Sequence, residues 1–319
     1  MKEFENLKVY FNEVRLKNLI KILKERFNIL NHTPELNFNT IIQQADLNRP
    51  ALLFKGFEEI FLYDRIQIIG ETELLVLKSL NKKEREKAIK RFFSYPIPAI
   101  FVTKGFKPPE DILEEAKKNK VPLFSVSEPT TLFMREIFFI LSLLLSPYTV
   151  LHGNIVNVYN VGILFIGRSG IGKSECSLEL VERGHKLVGD DLVKIIKHPE
   201  NFLIGEAFKG EVRTFLEIRG IGILDIISLF GPSSCLERTK IDIIIRLIDW
   251  SETLDIERIG IKEKKVNILG INIPYVELPL NPGKHISVLV EAVALNYLTK
   301  ERGEVSAEKF LNKLKGKKL

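Results

Sequence analysis

Cysteine is scarce. Only Cys176 and Cys235 occur in 319 residues, with no CxxC pair. That excludes a disulfide framework and fits a reducing compartment. Long apolar runs are also missing. The most membrane-like stretch, "IFFILSLLL" at 137–145, is too short to span a bilayer and is cut by Ser146-Pro147. The first residues, "MKEFENLKVYFNEV", are charged throughout and have no apolar signal core. The expectation is a soluble, cytoplasmic chain with no membrane partner. No basic stripe interleaved with aromatics is present, so no nucleic-acid partner is expected despite a net charge of +6. Part of that excess lies in the terminal "KFLNKLKGKKL", which reads as a solvated helix end. An acidic protein partner would suit the charge equally well. Internal repeats and low-complexity tracts are absent.

Apolar residues are plentiful, at 45%, and the length suits about two domains. The first half alternates pieces of different period. "VRLKNLIKILKERF", "EREKAIKRFFS" and, after Pro108-Pro109, "EDILEEAKKNK" have helical spacing. "ALLFKGF", "RIQIIG", "PAIFVTKG" and "VPLFSV" are short apolar runs that read as strands. Strands alternating with helices imply a small N-terminal α/β layer domain over residues 1–128. It has no cluster with metal-ligand or catalytic spacing, and its role stays unassigned. Residues 129–148 read as a connecting helix, opened by Pro129 and closed by Pro147. Residues 149–319 are strand-rich and form the second domain, which ends in the apolar helix "ISVLVEAVALNYLTKE". That helix is expected to be buried or docked on a partner.

The second domain carries the strongest signal. Gly167-Arg168-Ser169-Gly170-Ile171-Gly172-Lys173-Ser174 matches the phosphate-loop pattern G-x4-G-K-[ST], between the strand-like "VGILFI" and the helical "ECSLELVERG". Glycines let successive N–H groups curl around phosphate oxygens. Lys173 supplies a cation, and the Ser174 hydroxyl suits Mg²⁺. The helix that begins near Lys173 turns its positive end to the same anion. "HKLVGDD" follows after one short helix and ends in Asp190 and Asp191. In a strand-to-loop turn the two carboxylates point different ways, so one can serve a metal and the other a substrate. Without the loop, the same pair reads as an Asx turn. Metal-binding aspartates of common switch and transport proteins lie much further along the chain, so this spacing indicates a different class. His152 and Asn154, in "LHGN", precede the loop by one hairpin; a lone His is usually structural or solvated.

Taken in order, these blocks resemble the HPr kinase/phosphorylase family. The resemblance runs from "HG" at His152 through "GRSGIGKSE", "RGHKLVGDD" and "LEIRGIGILDI" to "ERIG" at 257–260 and "LNPGKHISVLVEAVALNY" from Leu280. It covers about half the chain, and "DRIQIIG" at 64–70 also looks like the family's N-terminal domain. The resemblance implies a phosphate-loop domain similar to phosphoenolpyruvate carboxykinase and a homohexamer. It implies a bifunctional enzyme that moves the γ-phosphate of ATP, with Mg²⁺, to a serine of the phosphocarrier HPr. Inorganic phosphate reverses the transfer and gives pyrophosphate. By resemblance, His152, Lys173, Asp191 and Arg258 are catalytic, with Asp191 the base. Ser174 and Glu217 are metal contacts. Asp190, Arg219, Gly220, Gly222, Asn281, Pro282, Gly283 and Lys284 are further site positions.

The chain departs from the family in places. Arg168 stands where relatives often have Asp, and Asn281 and Lys284 where they commonly have arginines. Lys gives a point charge without the planar fork of Arg, so phosphorolysis should suffer more than kinase activity, unless these are neutral loop differences. On its residues alone, "EIRGIGILDI" reads as a strand broken by a Gly220-x-Gly222 bend with Arg219 solvated, and Arg258 as a surface charge. Two rivals share the loop: a small-molecule kinase on the same fold, and a nucleotide sensor without turnover. Asp190, Asp191 and Glu217 weigh against the sensor, which needs no base.

Overall fold

The computed structural model describes residues 4, 7–36, 38–209, 214–249, 264–280 and 285–303. The chain divides into two units, residues 11–146 and residues 1–10 with 147–319. Each is built in layers around a sheet.

In the N-terminal unit the strands Leu47–Asn48, Ile66–Ile69, Ile100–Val102 and Leu123–Val126 run parallel, and Ile29–Asn31 adds an antiparallel edge. The parallel strands are buried on both faces, which is why "IQII", "IFV" and "LFSV" read as continuous apolar runs rather than alternating ones. Helices Leu16–Lys24 and Thr130–Leu144 cover one face, with Leu19, Phe133 and Ile137 packed on Ile68, Phe101 and Phe124. Helices Lys82–Phe92 and Glu110–Lys118 cover the other, through Ile89, Phe92 and Ile112.

Three readings are corrected here. "ALLFKGF" is a helical turn, Ala51–Phe54, not a strand. Pro50 opens it, Gly56 at φ 105° follows it, and Leu53 and Phe54 are buried together in the core. Thr130–Leu144 is helical, but it belongs to the core of the N-terminal unit and is not a connector. The first ten residues belong to the second unit. Tyr10 and Tyr148 exchange backbone hydrogen bonds (2.8 and 2.9 Å), their rings stack, and Thr149 Oγ1 donates to the Lys8 carbonyl.

The second unit stacks two sheets. The larger is six-stranded, in the order Lys186–Gly189, Asn154–Val158, Val161–Ile166, Ile243–Asp249, Ile271–Leu280, Lys264–Ile268. Its pairings of Val161–Ile166 with Ile243–Asp249 and of Ile243–Asp249 with Ile271–Leu280 are parallel; the rest are antiparallel. A four-stranded antiparallel sheet, ordered Arg238–Lys240, Leu203–Ala207, Leu192–Lys197, Tyr148–His152, packs on one face through Val193, Ile195 and Leu203 against Ile155, Leu164 and Ile244. Helices Lys173–Glu182 and Ile286–Glu301 close the opposite face with Leu180, Val290 and Ala294. "EIRGIGILD" is a hairpin of Phe215–Ile218 and Gly222–Asp225, turning through Gly220 and Gly222 at φ 80° and 113°. Among the described residues, no helix is long and apolar enough to cross a membrane.

Candidate active site

The site forms where strand Val161–Ile166 ends and helix Lys173–Glu182 begins. Ile171 anchors the intervening loop by sinking into the core. Gly172 caps the helix at φ 106°, in the left-handed region that a side chain resists. The first-turn amides of the helix therefore face the loop without intrahelical partners, and the helix dipole favours an anion there. Lys173 Nζ lies back over the loop and donates to the carbonyls of Gly167 (3.0 Å) and Arg168 (3.2 Å).

A cleft opens beside the loop. Its walls include Asn154, Lys173, Ser174 and Glu175, with Asp190, Asp191, Glu217 and Arg219 opposite. The two adjacent aspartates diverge. Asp190 turns inward and accepts from Ser174 Oγ (2.9 Å) and the Glu217 amide (3.3 Å). Burial pushes its carboxyl above the usual range, opposed by those two donors. Asp191 sits at φ 61° and keeps its carboxylate in solvent, 83% exposed. His152 Nδ1 lies 3.7 Å from Asp191 Oδ1. The two residues are brought together by the sheet register, which pairs His152 with Leu192, next to Asp191.

Asn154 organises the group from beneath, and residue types alone did not reveal it. Fully buried, it donates to Ser177 Oγ (3.1 Å) and Ser174 Oγ (3.4 Å) and accepts from the Asp191 amide (3.4 Å). One side chain thus ties the loop helix to the aspartate turn. The only local signal was its position two residues after His152.

Arg219 reaches over the loop from the hairpin, its Nη2 3.5 Å from Ser169 Oγ. A Cβ added at Gly170 would overlap the Arg219 guanidinium, so the approach needs glycine at that position. Arg168 points the other way and makes a two-pronged ion pair with Asp249 (2.8 and 2.6 Å), both side chains exposed. Sequence reading gave no sign of Asp249. Gly220 and Gly222 form the hairpin turn. Arg258, Asn281, Pro282, Gly283 and Lys284 lie outside the described residues.

The donor set around the cleft is unbalanced. Glu175, Asp190, Asp191 and Glu217 outnumber Lys173 and Arg219, so a polyphosphate entering alone would meet net negative charge. Oxygen donors of this kind suit Mg²⁺. Among the described residues, no three His, Cys, Asp or Glu side chains gather closely enough to hold a metal by themselves. That matches the habit of Mg²⁺, which binds through one or two protein carboxylates, waters and substrate phosphates.

Comparison with known proteins gives a consistent result. Residues 14–141 match the family described as the HPr serine kinase N terminus, and residues 144–314 the HPr serine kinase C-terminal domain. The chain is 42% identical over 273 residues to the HPr kinase/phosphorylase of Caldicellulosiruptor bescii, covering 86% of this chain and 88% of that one. It is 41% identical over 284 residues to the HPr kinase/phosphorylase of Leptospira biflexa, covering 88% of each. A solved structure, the Hpr(Ser) kinase/phosphatase of Coxiella burnetii, is 33% identical over 51% of this chain and 98% of its own, with a TM-score of 0.45.

Proposed function

The chain belongs to the HPr serine kinase family, and from that premise we propose that it transfers the γ-phosphate of ATP to a serine of HPr and reverses the transfer with inorganic phosphate. The observation that carries this reading is the divergence of Asp190 and Asp191 beside a phosphate loop. One carboxylate is committed to the loop serine, and the other faces solvent at the mouth of the cleft.

In the forward direction the loop amides, the helix end and Lys173 hold the nucleotide phosphates. Lys173 exchanges its carbonyl partners for phosphate oxygens as they arrive. Asp191 takes the proton from the acceptor serine as the serine oxygen attacks the γ-phosphorus and the bond to the β-phosphate oxygen breaks. His152 and Arg219 place donor or cationic groups near the oxygens where charge gathers. In reverse, a phosphate oxygen attacks the phosphoserine phosphorus, the P–O bond to serine breaks, and Asp191 returns a proton to the serine oxygen. Pyrophosphate and HPr leave.

Ser174, Asp190 and Glu217 would hold Mg²⁺ together with the phosphates. When bound, the ion neutralises phosphate charge and offsets the surplus of carboxylates. Asn154 keeps Ser174 and the Asp191 turn in register with each other. Arg258 is proposed as a further catalytic cation, and residues 281–284 as a segment used in phosphorolysis.

The same proposal places catalysis in residues 149–319, on a fold similar to phosphoenolpyruvate carboxykinase. It includes a cytoplasmic location, no nucleic-acid or membrane partner, and a homohexamer. Val288, Leu289 and Leu295 stay exposed on the last helix, which supports association between copies. Incubating the protein with Mg²⁺, γ-labelled ATP and purified HPr tests the forward reaction, with labelled serine as the expected product. Washed phospho-HPr with inorganic phosphate should then release pyrophosphate. An ATP-binding protein that never labels HPr would overturn the proposal.

A further inference from the structure

The hairpin that carries Glu217 and Arg219 has an outer face that its own position does not explain. Outward positions on a half-buried antiparallel pair are ordinarily polar. In Phe215–Ile218 the side chains alternate strictly: Leu216 and Ile218 are buried, while Phe215 and Glu217 are exposed. The register pairs Glu217 with Ile223, so an apolar residue stands directly beside a carboxylate of the cleft. Ile223 is 73% exposed, Ile221 at the turn 69%, and Phe215 40%. The inner face of the hairpin is already used by the core through Leu216 and Ile218. Phe215 and Ile223 therefore share the exposed face of the hairpin with the cleft residue Glu217, and Ile221 continues the apolar surface at the turn.

We propose that this face docks the protein that accepts the phosphoryl group, by apolar side chains flanking the target serine. The inference rests on the kinase reading above and adds the acceptor's surface chemistry. Continuity with the cleft selects the occupant. Glu217 lines the cleft and shares its strand face with Phe215 and its register with Ile223, so an acceptor large enough to extend past Glu217 must lie across them. A small-molecule acceptor would fill the cleft and leave Ile221 and Ile223 in water. Apolar packing here contributes equally before and during transfer, so it sets the affinity for the acceptor rather than the rate of the chemical step.

Steady-state transfer from ATP to purified HPr tests this, comparing the full-length protein with the Ile221→Thr, Ile223→Thr double variant. Threonine keeps the β-branch and strand preference while removing apolar surface. The KM for HPr should rise about tenfold or more, as expected from losing two buried isoleucines. The kcat should stay within about twofold, since no transition-state contact is removed. ATP affinity, measured separately by titration, should not change, and Ile223→Leu should retain most of the acceptor affinity. If the double variant misfolds, Ile223→Thr alone provides the same readout.

An unchanged KM for HPr would overturn the docking face while leaving the kinase reading intact. So would a joint loss of ATP affinity and kcat, which would mark the hairpin as purely structural. A changed sedimentation profile with unchanged KM would assign the face to a second copy of this chain. No labelling of HPr by the unsubstituted protein would remove the kinase reading, and this inference with it.

Discussion

Gly170→Ala is the most informative small change, because it separates backbone conformation from the placement of one cation. Gly170 has φ 75°, a conformation that costs an alanine about 1–2 kcal/mol. In a unit of this size, that lowers Tm by about 2–8 °C. The added Cβ would also overlap Nη1, Cζ and Nη2 of Arg219. Arg219 is exposed and flexible, so it swings aside cheaply and its displacement adds little to the stability loss. The functional cost is different in kind. A charge-assisted hydrogen bond is worth about 1.5–3 kcal/mol, so losing the Arg219 cation over the loop should lower kcat/KM for ATP about 10- to 100-fold. If both changes act through the same guanidinium, they cannot add. In an Arg219→Ala background, Gly170→Ala should reduce kcat/KM by less than about threefold further. The assay is a four-protein cycle of initial rates, with thermal unfolding in parallel. Fully additive losses would show that Gly170 acts through loop backbone alone and would refute the coupling.

Two other changes probe the supports of the site. Asn154→Ala removes three hydrogen bonds, one of them fully buried, and leaves the Ser177 hydroxyl and the Asp191 amide short of a partner. It should cost about 1–3 kcal/mol in denaturant unfolding and lower kcat, whereas a merely structural asparagine would leave kcat unchanged. At the other end of the loop helix, Arg183 (2.9 and 2.6 Å) and His185 (3.0 Å) hold the carboxyl of Glu291 down at about 2. A carboxyl depressed from 4.5 binds protons less readily folded than unfolded, so its stabilisation is present above about pH 4.5 and is lost as pH falls toward about 2. Glu291→Gln should therefore lower Tm most near neutral pH, with the deficit shrinking across that acid window. A deficit independent of pH would show that the carboxylate charge is irrelevant.

Sequence legibility followed the range of the interactions. The strand, loop and helix around residues 167–174 were readable because the pattern is local: glycines, lysine and serine within eight residues, between an apolar strand and a helix. Periodicity located Leu16–Lys24, Lys82–Phe92 and the buried parallel strands for the same reason. "ALLFKGF" failed because a short apolar run has no period long enough to separate strand from helix. Thr130–Leu144 was found as a helix, but sequence cannot say which layer a helix joins, and packing put it in the N-terminal core. The missed contacts are long-range. Asn154 meets Ser174, Ser177 and Asp191 only after two strands and a helix have folded, and Arg168 meets Asp249 across two parallel strands. The divergence of Asp190 and Asp191 was expected from the strand-to-loop turn, but not the left-handed conformation of Asp191 that accompanies it.

The central claim is that Asp191 moves the proton in both directions of phosphoryl transfer. The most direct test is the kcat of Asp191→Asn for labelling of HPr and for phosphorolysis of phospho-HPr, with ATP affinity measured alongside. The expected result is a fall of about 10²- to 10⁴-fold in both rates with ATP affinity nearly unchanged. A variant that retains either rate would contradict the assignment and point to Asp190 or His152 as the proton carrier.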